Sequence, residues 1–404
     1  MPYRVGSNTV ITEGDAGTGG ANGTFRNFFY EYSLNFFGLQ GSNYGYITGG
    51  VNLLNNATTV AGAAVFTGYP AYYANPSNFV QNVERFPFYA SVSSVQVGSA
   101  LSTARAAFAS QSSKTTGFNS GGYVATGSAP TPNTFYTNIT GSTIVDSFPF
   151  TTQGLITVSS VGSLSAGRLG CAGMMSDLAG YTAGGGANSA TTAVSTIDSF
   201  PFSAPFVTAS SVGALSGTRI GMAGHMTPLS GYTSGGFNPF SFALNTNNSQ
   251  GTTLSNLNRY PYASTPVTAT NVTSLVAARG YNTGFSSISY GYSVGGQPTG
   301  AVGSTTSIER FLFSEQTITS AATPAVLSSG KICATGISST EYGFYVGGFN
   351  QTAYNQNSIP GIPTQFSGIA TAVIEKFPFT NTTTAMDTSL SLTTGKGHIG
   401  GNQY

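Results

Sequence analysis

The sequence predicts an all-β fold, a six-bladed β-propeller closed by its own C-terminus, and three observations predict it. An aromatic-Pro-aromatic-like tripeptide starts six times, at Phe86, Phe148, Phe200, Tyr260, Phe311 and Phe377. Each is followed 19 or 20 residues later by a basic residue: Arg105, Arg168, Arg219, Arg279, Lys331 and Lys396. After the first five of these a glycine pair begins 16 positions on, at Gly121, Gly184, Gly235, Gly295 and Gly347, but Lys396 has only eight residues left before the chain ends. Its glycine pair is expected to be Gly49-Gly50, because joining Tyr404 onto about residue 41 preserves the register. A pattern that closes on itself in this way describes a ring.

Four strands per repeat are expected. The segments are short, rich in Val, Ile, Thr, Tyr and Phe, and punctuated by Gly, Pro and Asn, and outside residues 26–38 none carries a convincing helical period. One strand should hold the basic residue, as in LSAGRLGCAG (164–173) and LSGTRIGMAG (215–224). A second should end at the glycine pair, just after an aromatic: Tyr46, Phe118, Tyr181, Tyr232, Tyr292 or Phe344. A third carries an acid two positions before the tripeptide, at Glu84, Asp146, Asp198, Glu309 and Glu375, with Asn258 in the fourth repeat. The last leads to the leucine four before the base: Leu101, Leu164, Leu215, Leu275, Leu327 or Leu392. Residues 389–404 are expected to supply the strand before Tyr46-Ile47, so that one blade is built from both termini and no edge is left unpaired there.

The order of a base before a small-residue strand, a strand ending in Gly-Gly and an acid–aromatic strand resembles the kelch repeat, over roughly residues 41–404. The chain departs from that pattern in having no tryptophan. The variant with I-D-x-F-P-F and G-Y-x-x-G-G, together with the opening MPYRVGSNTVI, looks more like propellers among the virion and tail-associated proteins of bacteriophages, especially cyanophages. The resemblance implies a kelch-like propeller over 41–404 with an N-terminal extension over 1–40, and a place in a virus particle made in the host cytoplasm.

Composition narrows the function. Only 6% of the 404 residues are charged and the net charge is +1, which gives no electrostatic footprint for nucleic acid. No run of 18 apolar residues suggests a membrane span, and the N-terminus has no apolar core of signal-peptide type. Two cysteines, Cys171 and Cys333, are too few for a disulfide scaffold and are expected to be reduced fillers. The two histidines, His225 and His398, stand at different template positions, so neither a metal site nor an acid–base pair is expected, and no cofactor is implied. A group present once per blade reads as architecture. Each acid is therefore expected to pair with the base of its own or the next blade, which commits eleven of the 25 charged residues to a structural ring.

Length varies mostly between the glycine pair and the tripeptide, giving long connections at 51–82, 123–144, 237–256 and 349–373. In a four-stranded meander these emerge at one end of the ring, where function on repeat scaffolds is usually carried. Their aromatics, Tyr69, Tyr72, Tyr73, Phe135, Tyr136, Phe237, Phe240, Phe242 and Tyr354, are the candidate contact residues. In the arm, Phe25, Phe28, Phe29, Tyr30, Tyr32, Phe36 and Phe37 are expected to anchor the protein. The expected function is a non-enzymatic structural or attachment component of a phage virion. Its partners would be other virion proteins in a homo-oligomeric or symmetric assembly, and a host-surface glycan at the loop face. A carbohydrate-binding surface propeller is the first alternative, and an enzyme of oxidase or glycosidase type the second.

Overall fold

The computed structural model describes residues 3–5, 8–11, 43–51, 79–125, 139–150, 155–187, 192–203, 208–238, 252–263, 266–299, 304–313, 320–354, 365–380, 387–397 and 400–403. Among these the chain is all-β, and its main body is a series of antiparallel sheets of one plan. The second sheet shows the plan: Ala109–Ser112, Thr116–Ser120, Ile144–Pro149 and Ser159–Ser163, in that spatial order. The third, fourth, fifth and sixth begin at Ala172–Met175, Ala223–Met226, Thr283–Ser286 and Thr335–Ser338 and repeat it, the third gaining a parallel strand, Val267–Thr268, at its outer edge. The first sheet takes its inner strand, Gly400–Gln403, from the C-terminus and the rest, Tyr44–Thr48, Asn82–Pro87 and Val95–Ser99, from the other end of the chain. Its register pairs Gly45 with Gln403, Tyr46 with Asn402, Ile47 with Gly401 and Thr48 with Gly400.

The sheets pack through the tripeptides. Each second-strand aromatic meets two aromatics of the next sheet, one on its third strand and one just past that strand's end. Tyr46 lies against Phe148 and Phe150, Phe118 against Phe200 and Phe202, and Tyr181 against Tyr260 and Tyr262. Tyr232 lies against Phe311 and Phe313, and Tyr292 against Phe377 and Phe379. The sequence of contacts then returns to its start, with Phe344 of the sixth sheet against Phe86 and Phe88 of the first, at 5.2 and 5.1 Å. Tilted and stacked pairs at these separations add about 0.5–1.5 kcal/mol each beyond the area they bury. Inner strands make contacts in the same cyclic order, Gly400–Gln403 touching both Thr335–Ser338 and Ala109–Ser112.

Close approach of the inner strands depends on glycine. A Cβ on Gly173 would come within 2.3 Å of Ser110 O, on Gly224 within 2.2 Å of Gly173 O, on Gly284 within 2.4 Å of Gly224 O, and on Gly336 within 1.9 Å of Gly284 O. No side chain fits there, which is why the fifth residue after the base is Gly in repeat after repeat. The glycine pairs all have positive φ, from 54° to 102°, the left-handed bend that turns the second strand out of the sheet.

The position of the basic residue differs from the expectation. It precedes the inner strand by a few residues and lies in a separate short ladder, in which Leu169 pairs with Gly186, Ile220 with Phe237, Gly280 with Gln297 and Ile332 with Phe349. The inner strand itself holds the small residues that follow. The ladder aims the cation at the carboxylate on the third strand of its own sheet.

Candidate functional site

The charged ring is a set of buried contacts within each repeat. Arg105 Nη2 lies 3.0 Å from Asp146 Oδ2, and Arg168–Asp198, Arg279–Glu309, Lys331–Glu375 and Lys396–Glu84 are equally direct pairs, all with side chains at most 2% exposed. The same carboxylates accept backbone N–H groups just after the template leucine: Asp146 from Ser102 at 2.8 Å, Asp198 from Ser165 at 2.8 Å, Glu375 from Ser328 at 2.7 Å and Glu84 from Thr393 at 2.8 Å. Each acid therefore ties the incoming connection and the base to the third strand at once. For Glu84, burial pushes the carboxyl up, but Lys396 and donors from Ser94 and Thr393 outweigh it and hold it below its ordinary range.

The fourth repeat is the exception. Asn258 Oδ1 accepts from Ser216 N at 2.9 Å and Ser216 Oγ at 2.8 Å, keeping the turn contact. Arg219 has only distant acceptors, Gly235 O at 3.4 Å, Asn256 O at 3.3 Å and Asn258 Oδ1 at 3.4 Å. Burial without a carboxylate pulls its guanidinium down to about 10.

Next to the glycine pairs lies an apolar cluster that includes Val51, Phe79, Ala106, Tyr123, Leu169, Ile220, Phe237, Ile332, Cys333 and Phe349. Residues of this cluster and its immediate neighbours share a staircase of backbone hydrogen bonds. Gly170 N donates to Ala107 O, Gly221 N to Gly170 O, Tyr281 N to Gly221 O, and Cys333 N to Tyr281 O, at 2.7–3.2 Å. All five residues have φ between 52° and 66°. Between the inner strands lies a cavity of about 140 Å³ lined by small residues such as Ser110, Gly173, Gly224, Gly284, Thr335 and Gly401. The charged residues of the repeat do not line it, being committed to the sheets.

Phe237, expected among the exposed loop aromatics, is 1% exposed and belongs to the apolar cluster. Standing directly after a glycine pair, it is turned inward by the ladder with Ile220. Tyr354 ends a strand, Phe349–Tyr354, that pairs with Gln365–Ala370, so the last long connection begins as a hairpin. Tyr69, Tyr72, Tyr73, Phe135, Tyr136, Phe240 and Phe242 lie outside the described residues, as do the arm aromatics Phe25, Phe28, Phe29, Tyr30, Tyr32, Phe36 and Phe37.

Among the described residues no group of three or more His, Cys, Asp and Glu side chains could hold a metal ion. His225 is fully buried, bonded through Nε2 to Ser234 Oγ at 2.8 Å and edge-on to Phe311; burial pulls it down to about 3. It is neutral at pH 7 and enclosed. Neither Cys171 nor Cys333 is in a disulfide, and burial pushes the Cys171 thiol up to about 12. No helix among the described residues is long and apolar enough to cross a membrane.

One group of residues was missed in the sequence. Arg85, Arg259, Arg310 and Lys376 all directly follow the acid position on the third strand, and three of them lie over tyrosines. Arg85 is 4.6 Å from the Tyr44 ring centroid, Arg310 4.8 Å from Tyr290 and Lys376 3.8 Å from Tyr342. The signal was available as a column of the repeat, in which Ser147 and Ser199 fill the two remaining places.

No protein-family profile matches the chain, and no curated protein matches it. Among solved structures it is similar to one titled "Structure of YjhT", with a TM-score of 0.56 and 12% identity, over 75% of this chain and 88% of that one. At that identity the likeness is one of fold.

Proposed function

We propose that the chain is a six-bladed, kelch-like β-propeller closed by its C-terminal strand, and that it works as a non-enzymatic structural or attachment component of a bacteriophage particle. The observation that carries the non-enzymatic part is the use made of the ionisable groups. Five buried ion pairs hold one repeat each, the sixth base bonds to an amide, and the buried histidine packs against an aromatic ring. An apolar cluster lies next to the glycine pairs. Such a body is a rigid platform, and contact falls to its loops and its arm. The phage setting rests on the sequence resemblance, and the low charge with abundant Ser, Thr, Asn and Gly suits a surface that interlocks with neighbouring subunits.

The test is fractionation. In a lysate of the infected host, particles banded on a density gradient should carry this chain at fixed stoichiometry to the major capsid or tail protein. Recovery only from the soluble fraction would refute the particle role. The aromatic content of the long connections supports a second reading, a carbohydrate-binding surface propeller. It predicts specific binding on a glycan array that is lost on Tyr72→Ala.

A further inference from the structure

A residue that recurs once per sheet serves the architecture, whereas a large exposed one found in a single repeat needs another reason. Tyr89 is such a residue. The position after the third-strand tripeptide holds Thr151, Ser203, Ala263, Ser314 and Thr380 in the other five repeats. Tyr89 is 53% exposed, so core packing does not explain it. Its hydroxyl lies 2.6 Å from Thr340 Oγ1, a hydrogen bond across the seam between the first and sixth sheets, and its ring meets Tyr342 in a T-shaped pair at 6.4 Å. Two contacts from a neighbouring sheet thus fix a ring that stays more than half open. The turn it meets departs from the template as well. Its second tip residue is Thr115, Leu178, Leu229 or Ser289 in the second to fifth sheets and Glu341 in the sixth. Glu341 is exposed and stands between the two residues that touch Tyr89. Lys376 Nζ lies 3.8 Å from the centroid of the Tyr342 ring, with the exposed Asp387 opposite it in the strand register. Arg85, the cation of the first sheet, is turned onto Tyr44 instead, 4.6 Å from its centroid.

The geometry points to this seam as a binding site for a neutral hexopyranose of a surface glycan. A sugar ring has an apolar C–H face and a rim of hydroxyls. The fixed ring of Tyr89 takes the face, in keeping with the amphipathic character of tyrosine. The Glu341 carboxylate and the Lys376 ammonium take hydroxyls through charge-assisted hydrogen bonds. Two carboxylates against one ammonium oppose an acidic sugar, which selects the neutral class. Because the ring is already held by Thr340 and Tyr342, little ordering remains to be done on binding. The inference goes beyond the structural role proposed above, and it does not use the long connections on which the carbohydrate-binding reading rests.

The full chain would be tested by saturation-transfer NMR with the methyl glycosides of glucose, galactose and mannose, and with methyl glucuronide. At least one neutral glycoside should bind, and more tightly than the glucuronide. Tyr89→Thr and Glu341→Ser install residues that other repeats carry at these positions, so the fold is retained. Each should weaken binding about fivefold or more. Leu229→Ser, at the turn position of Glu341 but on the fourth sheet, should change it less than about twofold. No binding of any neutral glycoside by folded protein, tighter binding of the glucuronide, unchanged binding in Tyr89→Thr, or an equal loss in Leu229→Ser would each overturn the assignment. Binding lost in Tyr72→Ala but kept in Tyr89→Thr would overturn it too, while leaving the carbohydrate-binding reading of the long connections standing. Particle association would be unaffected by any of these results.

Discussion

Asn258→Asp gives the fourth repeat the carboxylate that its counterparts carry, at a site already built to receive it. Ser216 N and Oγ stand 2.9 and 2.8 Å from Asn258 Oδ1, and the guanidinium of Arg219 is 2% exposed with its nearest acceptor 3.3 Å away. The cost of burying that cation is already met in the wild type. The new charge must itself be desolvated, which costs several kcal/mol. Against this stand two charge-assisted donors from Ser216 and a direct pair with Arg219, at about 1.5–3 kcal/mol per hydrogen bond to a charged group. The net expectation is a stabilisation of about 1–3 kcal/mol. With an unfolding entropy of about 2.1 cal/mol/K per residue over the roughly 270 described residues, 2 kcal/mol raises Tm by about 3–4 °C. Urea and thermal unfolding at pH 7 read it directly. The aspartate is expected to have a folded pKa below its unfolded value of about 3.9. The gain is therefore complete above pH 4 to 5 and disappears as pH falls through the folded pKa. A variant no more stable than wild type at pH 7, or a gain that persists unchanged at pH 2, would refute the pairing logic of the ring.

Glu84→Gln removes the partner of Lys396 at the seam joining the chain ends and should cost about 3–5 kcal/mol at pH 7. Because Glu84 is held below its ordinary range, wild type loses this contribution as pH falls below about 4.5, and the two proteins should converge in acid urea melts. His225, pulled from 6.5 to about 3 by burial, makes the folded state bind fewer protons than the unfolded state in between, so wild type should lose several kcal/mol from pH 7 to 4. His225→Gln, which keeps a donor for Ser234, should flatten that profile. Gly336→Ala puts a methyl within 1.9 Å of Gly284 O and should destabilise by about 3 kcal/mol or more, while Gly217→Ala, with nothing within 4 Å, should stay within about 0.5 kcal/mol.

The repeated antiparallel sheets were legible because they lie in spacing. The composite first sheet, the leucine and acid columns and the aromatic before each glycine pair all recur at fixed intervals, and the tripeptide aromatics occupy the intersheet seams. The acid–base columns were legible as pairs, since charges recurring once per repeat in an apolar body need partners. The strand carrying the base was misplaced by a few residues, because composition does not separate the short ladder from the inner strand that follows. Phe237 was misread for a related reason: the residue after a glycine pair begins a long connection in sequence, yet in space it is the last inward-facing position of the repeat. Arg85, Arg310 and Lys376 were passed over because a cation beside the ring acid reads as an ordinary exposed residue until Tyr44, Tyr290 and Tyr342 are seen beneath them.

Amide hydrogen–deuterium exchange of the C-terminal peptide spanning 393–404 is the most direct measurement of ring closure. Register with Tyr44–Thr48 makes Gly400–Gln403 the first strand of a four-stranded sheet rather than a free end. In dilute monomeric protein its amides should be protected to the same degree as those of the sixth inner strand, Thr335–Ser338, and released with them on global unfolding. Exchange at the rate of an unstructured terminus, while Thr335–Ser338 remains protected, would show that the two ends of the chain do not share a sheet.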